Sequence, residues 1–287
     1  MRVYRDYDQA QLDAQYNNRA AVPDHARWTE RWPRASAEAR ARLEARLDVP
    51  YSTGERHRLD IFPAAGRGAP ILAFIHGGYW RAFDKSDFSF VASAYVKAGV
   101  GVAVIGYPLA PAATLDEITE SVRQAVAWLF HHATAFAGDP ARLFVSGHSA
   151  GGHLTAMMMS TDWAARGLPT DLVKGGAAIS GVYDLEPIRL CYLNREVRLT
   201  AEMAARNSPL RLLPKAAGPL ILAVGGGETD EFQRQQAAYA EAWRGARLGV
   251  EIVPLPHDHH FAILDRFVDP TNPLFQAVKR RILGGIG

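Results

Sequence analysis

Residues 144 to 153 read Phe144-Val-Ser-Gly-His-Ser-Ala-Gly-Gly-His153. The apolar run Leu143 to Val145 enters a Gly-x-Ser-x-Gly pentad, Gly147 to Gly151. The pentad opens into Leu154-Thr-Ala-Met-Met-Met159, a helix-forming segment. Strand, sharp turn and helix, in that order, make the setting of a nucleophile elbow, where a serine sits in strained backbone with its Oγ above the sheet edge. The positions flanking the turn must be nearly free of side chain so that strand and helix can close together, and Gly147 and Gly151 meet that need. The same five residues can also be an ordinary glycine turn, so the rest of the chain decides.

Short strands and helices alternate on both sides of the pentad. Arg58-Leu-Asp-Ile-Phe62 alternates with period two, while Pro70 to Ile75 and Val100 to Ile105 are continuous apolar runs, as in strands buried on both faces. Leu115, Ile118, Val122, Val126 and Leu129 then repeat at helical spacing. Arg142 to Ser146 leads into the elbow, and further strands are expected at Ala177–Ser180, Leu220–Val224 and Val250–Val253. Phe232, Gln236, Tyr239 and Trp243 trace one helix face between the last two, and Leu274 to Leu283 closes as another helix. This alternation implies a mostly parallel sheet covered by helices, with its site at the carboxyl ends of the strands. Tyr183 to Pro214 is weakly periodic and reads as an excursion over the top of the sheet.

Residues 1–50 read differently, as a helical arm with little strand character, ahead of an α/β domain over 51–287. Pro33 and Ser36 precede a segment with Ala39, Leu43 and Leu47 on one face, expected to be a capped amphipathic helix ended by Pro50. Tyr16, Trp28 and Trp32 either staple this arm to the domain or reach over the site.

With 287 residues, 48% of them apolar, the chain fits one large α/β domain with a modest extension. A formal net charge of +2 implies no general field for nucleic acid or an acidic membrane. The arginine-rich stretch from Arg27 to Arg46 is interleaved with acids and reads as a solvated helix face. Cys191 is the single cysteine, so neither an intrachain disulfide nor a cysteine zinc site can form. The N-terminus lacks the apolar core of a signal peptide, and no apolar run approaches a membrane span. The expectation is a cytoplasmic enzyme of a small molecule, with no nucleic-acid or membrane partner. The oligomeric state stays open, a homodimer included.

A serine hydroxyl needs a base to take its proton and a third group to orient that base. With Ser149 on the elbow, acid and then histidine should follow along the chain. The loop after Leu220–Val224 reads Gly225-Gly-Gly-Glu-Thr-Asp-Glu231, and the loop after the last strand reads Pro256-His-Asp-His-His-Phe261. Glu228 is the preferred acid, since Asp230 and Glu231 suit the first turn of the next helix and Asp184 is more distant. His260 is preferred over His257 and His259 as base. The same His and Asp cluster could instead hold a metal, but no second ligand pair stands out and the expectation is no metal and no cofactor. Donors for a developing oxyanion would be the N–H of Ala150 and amides of His76-Gly-Gly-Tyr-Trp80, with Gly77 and Gly78 leaving the backbone accessible. His153 and His76 read as packing and loop-bracing residues.

These stretches together resemble the arylformamidases (kynurenine formamidases) and their bacterial esterase relatives, from about Tyr51 to the C-terminus. The resemblance implies an α/β-hydrolase fold with a mostly parallel sheet of roughly eight strands, flanked by helices and preceded by a helical arm. By position it implies Ser149 as nucleophile, Glu228 as acid and His260 as base, with Gly77, Gly78 and Ala150 at the oxyanion hole. The expected reaction is cleavage of aryl formamides such as N-formylkynurenine through an acyl-enzyme, with Tyr79, Trp80 and Tyr107 against the substrate. Two rivals stand beside it. One is a carboxylesterase or amidase for small aryl or short-acyl substrates, because these motifs are shared with esterases. The other is a non-catalytic hydrolase-fold binding protein, against which the complete set of candidate groups counts.

Overall fold

Eight strands form one sheet in the computed structural model, which describes residues 1–284. They are β1 (Arg46–Pro50), β2 (Arg58–Phe62), β3 (Ala69–Ile75), β4 (Gly101–Ile105), β5 (Gly138–His148), β6 (Val173–Ile179), β7 (Leu220–Ala223) and β8 (Val250–Ile252). The spatial order is β1-β2-β4-β3-β5-β6-β7-β8. Pairs β1–β2 and β2–β4 are antiparallel and the rest are parallel, so the sheet is mixed but mostly parallel. Helices α1 (Gln9–Gln15), α2 (Asn18–Ala21) and α3 (Ala26–Arg42) precede it; α4 (Ala92–Lys97), α5 (Leu115–His132) and α6 (Ala150–Met159) lie between its strands. Three short helices follow β6: α7 (Glu186–Leu190), α8 (Asn194–Val197) and α9 (Ala201–Arg206). The set ends with α10 (Asp230–Gly245), α11 (Ile263–Val268) and α12 (Pro273–Leu283).

The period-two geometry of the strands divides the core into two layers. Ile71, Ala73 and Ile75 of β3 pack with Val122 of α5, Leu154 of α6 and Trp243 of α10. Leu72 and Phe74 point the other way, to Tyr95 of α4, Phe267 of α11 and Phe275 of α12. Each side chain of this size contributes roughly 1.5–3 kcal/mol by leaving water, so a central strand gains from apolar residues on both faces. This is why β3 and β4 read as unbroken apolar runs.

The arm departs from the expected pattern in one place. Its long helix does not begin after Ser36 and end at Pro50; it runs from Ala26 through Pro33 to Arg42, and Arg46–Pro50 is the edge strand β1. Ser36 is buried and its Oγ accepts from the Phe90 N–H at 3.2 Å instead of capping a helix. Strand β1 is largely exposed and carries a register shift between Arg46 and Val49, so it shows no alternation a reader could use. An edge is also where a sheet tolerates Pro50, whose missing N–H costs no ladder bond on the open side. Lys85, paired at 2.7 Å with both Asp48 and Asp60, ties this edge to the segment after β3.

Strand register brings the functional loops to one end. Ile75 of β3 pairs with Gly147, and Ile179 of β6 pairs with His148. The elbow is therefore flanked by the His76–Trp80 loop on one side and Ser180 on the other. Further along, a bridge between Gly225 and Leu255 and the bond from Gly227 N–H to Asp258 C=O (2.9 Å) clamp the acid loop to the histidine loop.

Candidate active site

Ser149 stands between β5 and α6 with φ 57° and ψ −119°. A non-glycine residue in this region is strained, and the surroundings must hold it there. Its N–H donates to Ile179 C=O at 2.8 Å, and its carbonyl accepts the His153 N–H at 3.0 Å. Close approach explains the flanking glycine: a Cβ on Gly151 would sit 1.9 Å from the Ile75 carbonyl oxygen. Any side chain there would push α6 off the sheet.

Two histidine contacts define the centre. Ser149 Oγ lies 3.0 Å from His260 Nε2, and His260 Nδ1 lies 2.6 Å from Glu228 Oε2. A carboxylate only accepts, so Nδ1 carries the proton and Nε2 offers its lone pair to the serine hydroxyl. Glu228 Oε1 in turn accepts from Ser180 Oγ at 2.5 Å and from the Gly225 N–H at 2.8 Å. Glu228, His260 and Ser149 are all buried. The rival groups lie elsewhere. Asp230 and Glu231 open α10, where Glu231 pairs with Arg234 at 2.7 Å, and Asp184 accepts from Tyr4 OH at 3.2 Å. His257 is exposed, Asp258 is held by Arg266 at 2.8 Å, and His259 Nδ1 accepts from the Phe261 and Ala262 amides at 3.2 Å. Among the described residues no three His, Cys, Asp or Glu side chains converge as a metal site requires.

The loop after β3 lies alongside Ser149. A Cβ on Gly77 would come within 3.1 Å of Ser149 Cβ, and the loop continues with positive φ at Gly78 (106°), Tyr79 (47°) and Trp80 (57°). The Ala150 N–H is the first of α6 and has no acceptor within its own helix. Gly77 thus lies against Ser149, Gly78 lines the same cleft, and Ala150 follows Ser149 directly. His76 and His153 brace this loop, as their sequence context implies. His76 Nδ1–H donates to Gly77 C=O at 2.8 Å, and His153 takes the Trp80 indole N–H on Nδ1 at 3.2 Å while giving its own N–H to Asn207 C=O. Burial pushes both imidazoles down to about 4, so both are neutral near pH 7.

The cleft above Ser149 is small, with a volume of about 90 Å³. Gly77, Gly78, Ser149 and His260 line it, and Trp32, Tyr79, Phe83, Phe88, Tyr192 and Phe261 supply aromatic walls. Of the three residues expected against a substrate, only Tyr79 lines it. Trp80 and Tyr107 are instead fully buried behind the loop, where Tyr107 OH donates to the His76 carbonyl at 2.8 Å. Their aromatic bulk serves packing, which composition alone could not tell from recognition.

Sequence reasoning missed four contributors. Ser180 gave no motif, being one serine after an apolar strand. His148 is the variable residue of the pentad, yet its Nε2–H donates to the His260 carbonyl at 2.7 Å and so fixes the backbone at His260. Burial, then the charge of His260, holds its pKa well below the usual histidine range, so it stays neutral. Tyr192 comes from the excursion after β6. The fourth is the short helix α2 with the turn before it, whose Asn17, Asn18 and Arg19 line the cleft beside Trp32. The aromatic residues of the arm divide between both expected roles: Trp28 staples it, through Nε1–H to Asp265 (3.1 Å) and edge-on packing against His259, while Trp32 reaches the cleft.

The BD-FAE family model matches residues 59–172. A kynurenine formamidase of Salmo salar is 34% identical over 83% of this chain and 82% of its own length. The kynurenine formamidase of Danio rerio is 33% identical over 85% of this chain and 84% of its own. Among solved structures, a candidate thioesterase from Silicibacter superposes with a TM-score of 0.81 at 32% identity, covering 93% of this chain and 98% of that one. Esterase B of Lactobacillus rhamnosis shares the fold at a TM-score of 0.70 and 18% identity, over 93% of this chain and 94% of its own. No helix among the described residues is long and apolar enough to cross a membrane. From a mostly parallel sheet with this loop arrangement, and from relatives alike over more than four fifths of both chains, the protein is a hydrolase that belongs to the kynurenine formamidase family of the α/β-hydrolase superfamily.

Proposed function

We propose that the protein hydrolyses aryl formamides such as N-formylkynurenine through a formyl-enzyme on Ser149. The observation that carries this reading is His260 bridging Ser149 Oγ and Glu228 in an aromatic cleft. Ser149 Oγ attacks the formyl carbon while His260 Nε2 takes its proton. The oxyanion that develops is met by the amides of Gly77, Gly78 and Ala150; one such donor is typically worth a hundred- to a thousandfold in rate, about 2.7–4 kcal/mol. His260 then gives the proton to the leaving nitrogen, the C–N bond breaks, and the aryl amine departs. Water attacks the formyl ester, His260 takes the water's proton and returns it to Ser149 Oγ, and formate leaves. Glu228 keeps the proton of His260 on Nδ1 and stabilises the imidazolium that forms in each half-reaction.

The aromatic walls favour an aryl leaving group, since Trp32, Phe83 and Phe261 offer flat apolar surface to a ring. The test is a matched series with one aryl amine acylated by formyl, acetyl and propionyl groups, together with the corresponding aryl esters. The formamide is expected to give the highest kcat/KM among the amides. Faster turnover of acetyl or longer groups, or reaction of esters alone, replaces the formamidase reading with a general esterase or amidase.

A further inference from the structure

Charge in the cleft is one-sided. Two guanidinium side chains, Arg19 and Arg81, line it, and no aspartate or glutamate does. Arg81 is already engaged by Glu196. Arg19, on α2, is exposed and meets no carboxylate among the described residues. Asp13, which like Arg19 lies near Tyr192, is occupied by the Tyr192 N–H (2.8 Å) and by Gln9 Nε2 (2.9 Å).

The backbone that carries Arg19 is held by both catalytic loops. Tyr79 OH, from the loop after β3, donates to the Tyr16 carbonyl at 2.8 Å and accepts from Asn18 Nδ2 at 3.2 Å. Thr229 Oγ1, next to Glu228, donates to Gln15 C=O at 2.7 Å, and the Glu231 N–H donates to Gln15 Oε1 at 3.0 Å. Asn17 Oδ1 caps α2 through the Ala20 N–H. Helix α2 is only one turn long and would not persist alone. These bonds fix the backbone from which Arg19 projects, so chiefly its side chain remains to be ordered when an anion arrives. The planar fork of a guanidinium also matches a carboxylate in geometry.

From this one-sided cleft, unpaired arginine and pinned backbone, we infer that Arg19 is a specificity-determining residue that binds a carboxylate on the substrate, remote from the bond being cleaved. The preferred substrates are aryl acyl compounds that carry a carboxylate, and Arg81 with Glu196 contributes shape more than charge. The inference rests on the proposed function for the formamide bond but not for the charge preference, and the experiment separates the two.

Two substrate pairs are compared on the full chain. One is N-formylkynurenine and its primary carboxamide; the other is an aryl acetate with and without a carboxylate on its ring. The carboxylate member is expected to be preferred on the order of tenfold in kcat/KM, mostly through KM, with the preference reduced in high salt. Arg19→Gln is expected to abolish that ratio, Arg19→Lys to restore part of it, and Arg19→Glu to reverse it. A merely structural role would lower both members of a pair together and leave the ratio alone. A ratio near one in the unaltered protein, or one that survives Arg19→Gln, overturns the inference. If formamides are inert while the ester pair shows the ratio and its loss in Arg19→Gln, the formamidase reading fails and the charge inference stands.

Discussion

The rim of the sheet and the N-terminal arm build the same cleft by different means. At the rim, Ser149 directly follows β5, while Glu228 and His260 stand on the short loops after β7 and β8 that the Gly225–Leu255 bridge joins, and local turns aim them. The arm spans residues 9–42 as helices, and it arrives at the cleft only through contacts with residues up to about two hundred positions away, such as Tyr16 OH to Glu231 and Gln15 to Thr229. In the proposed reaction the rim groups act on the bond being broken, whereas the arm groups act only on the rest of the substrate. The difference separates chemistry from selection: changes at the rim should appear in kcat, and changes in the arm should appear in KM and in substrate ratios.

The largest expected effect removes the nucleophile. Ser149→Ala should leave a folded protein with kcat reduced by roughly four to six orders of magnitude, and His260→Ala should come close to it. Combining the two should add little, because both act in one step. A fluorophosphonate should add a single covalent mass at Ser149 in the unaltered protein and none in Ser149→Ala. Labelling at another serine, or residual activity near that of the starting protein, would break the division at its strongest point.

Next comes a residue of the rim that touches no substrate. Ser180 has φ 49° and is outside the cleft lining, and its hydroxyl donates to the Glu228 oxygen that does not face His260. Without it, that oxygen keeps only the Gly225 N–H, and the carboxylate gains freedom to turn away from His260. Ser180→Ala should lower kcat about tenfold with little change in KM, less than the effect of Glu228→Gln, which removes the charge as well. Should KM rise while kcat holds, Ser180 would belong with the selecting groups.

Legibility follows the same division. Seven of the eight strands lie at the segments their sequences suggest, because two-sided burial of β3, β4 and β5 demands apolar runs that stand out. The elbow was legible because steric closure at Gly147 and Gly151 leaves glycine in the sequence. Strand β1 was not, since an exposed edge strand imposes no pattern. Trp80 and Tyr107 misled because a ring packed behind a loop and a ring facing a ligand have the same composition. Asn17, Asn18 and Arg19 gave no sign at all, as their place depends on Tyr79 and Thr229, which only the fold brings near.

A smaller effect concerns stability below the rim. His76 and His153 are buried and neutral, with pKa near 4 against about 6.5 in an unfolded chain. Between these values the unfolded chain binds more protons than the folded one, so stability declines as pH falls from 6.5 towards 4 and is unaffected by these groups above 6.5. Each contributes a slope of about 1.4 kcal/mol per pH unit in that window. Melting temperature should therefore drop by several degrees from pH 6.5 to 5. His153→Gln can still accept from Trp80 and donate to Asn207, and it should flatten the slope by about one proton. An unchanged slope would remove His153 as a cause.

The smallest effect is aimed at the join between rim and arm. Tyr79 stands on the loop that supplies Gly77 and Gly78, yet its hydroxyl is spent on the arm, giving to Tyr16 C=O and taking from Asn18 Nδ2. Tyr79→Phe keeps the ring as a wall of the cleft and deletes only that junction. The loss of a buried hydrogen bond is worth about 0.5–1.5 kcal/mol net, and here it falls on the placement of Asn18 and Arg19 rather than on Ser149. Turnover of a bound substrate should stay within about twofold, while KM should rise roughly two- to tenfold, matching that free energy. The measurement is kcat and KM on one good substrate, with the fluorophosphonate labelling rate as an independent reading of the rim. If kcat and labelling fall together with KM unchanged, the Tyr79 hydroxyl holds the oxyanion loop in shape, and rim and arm are one mechanical unit instead of two.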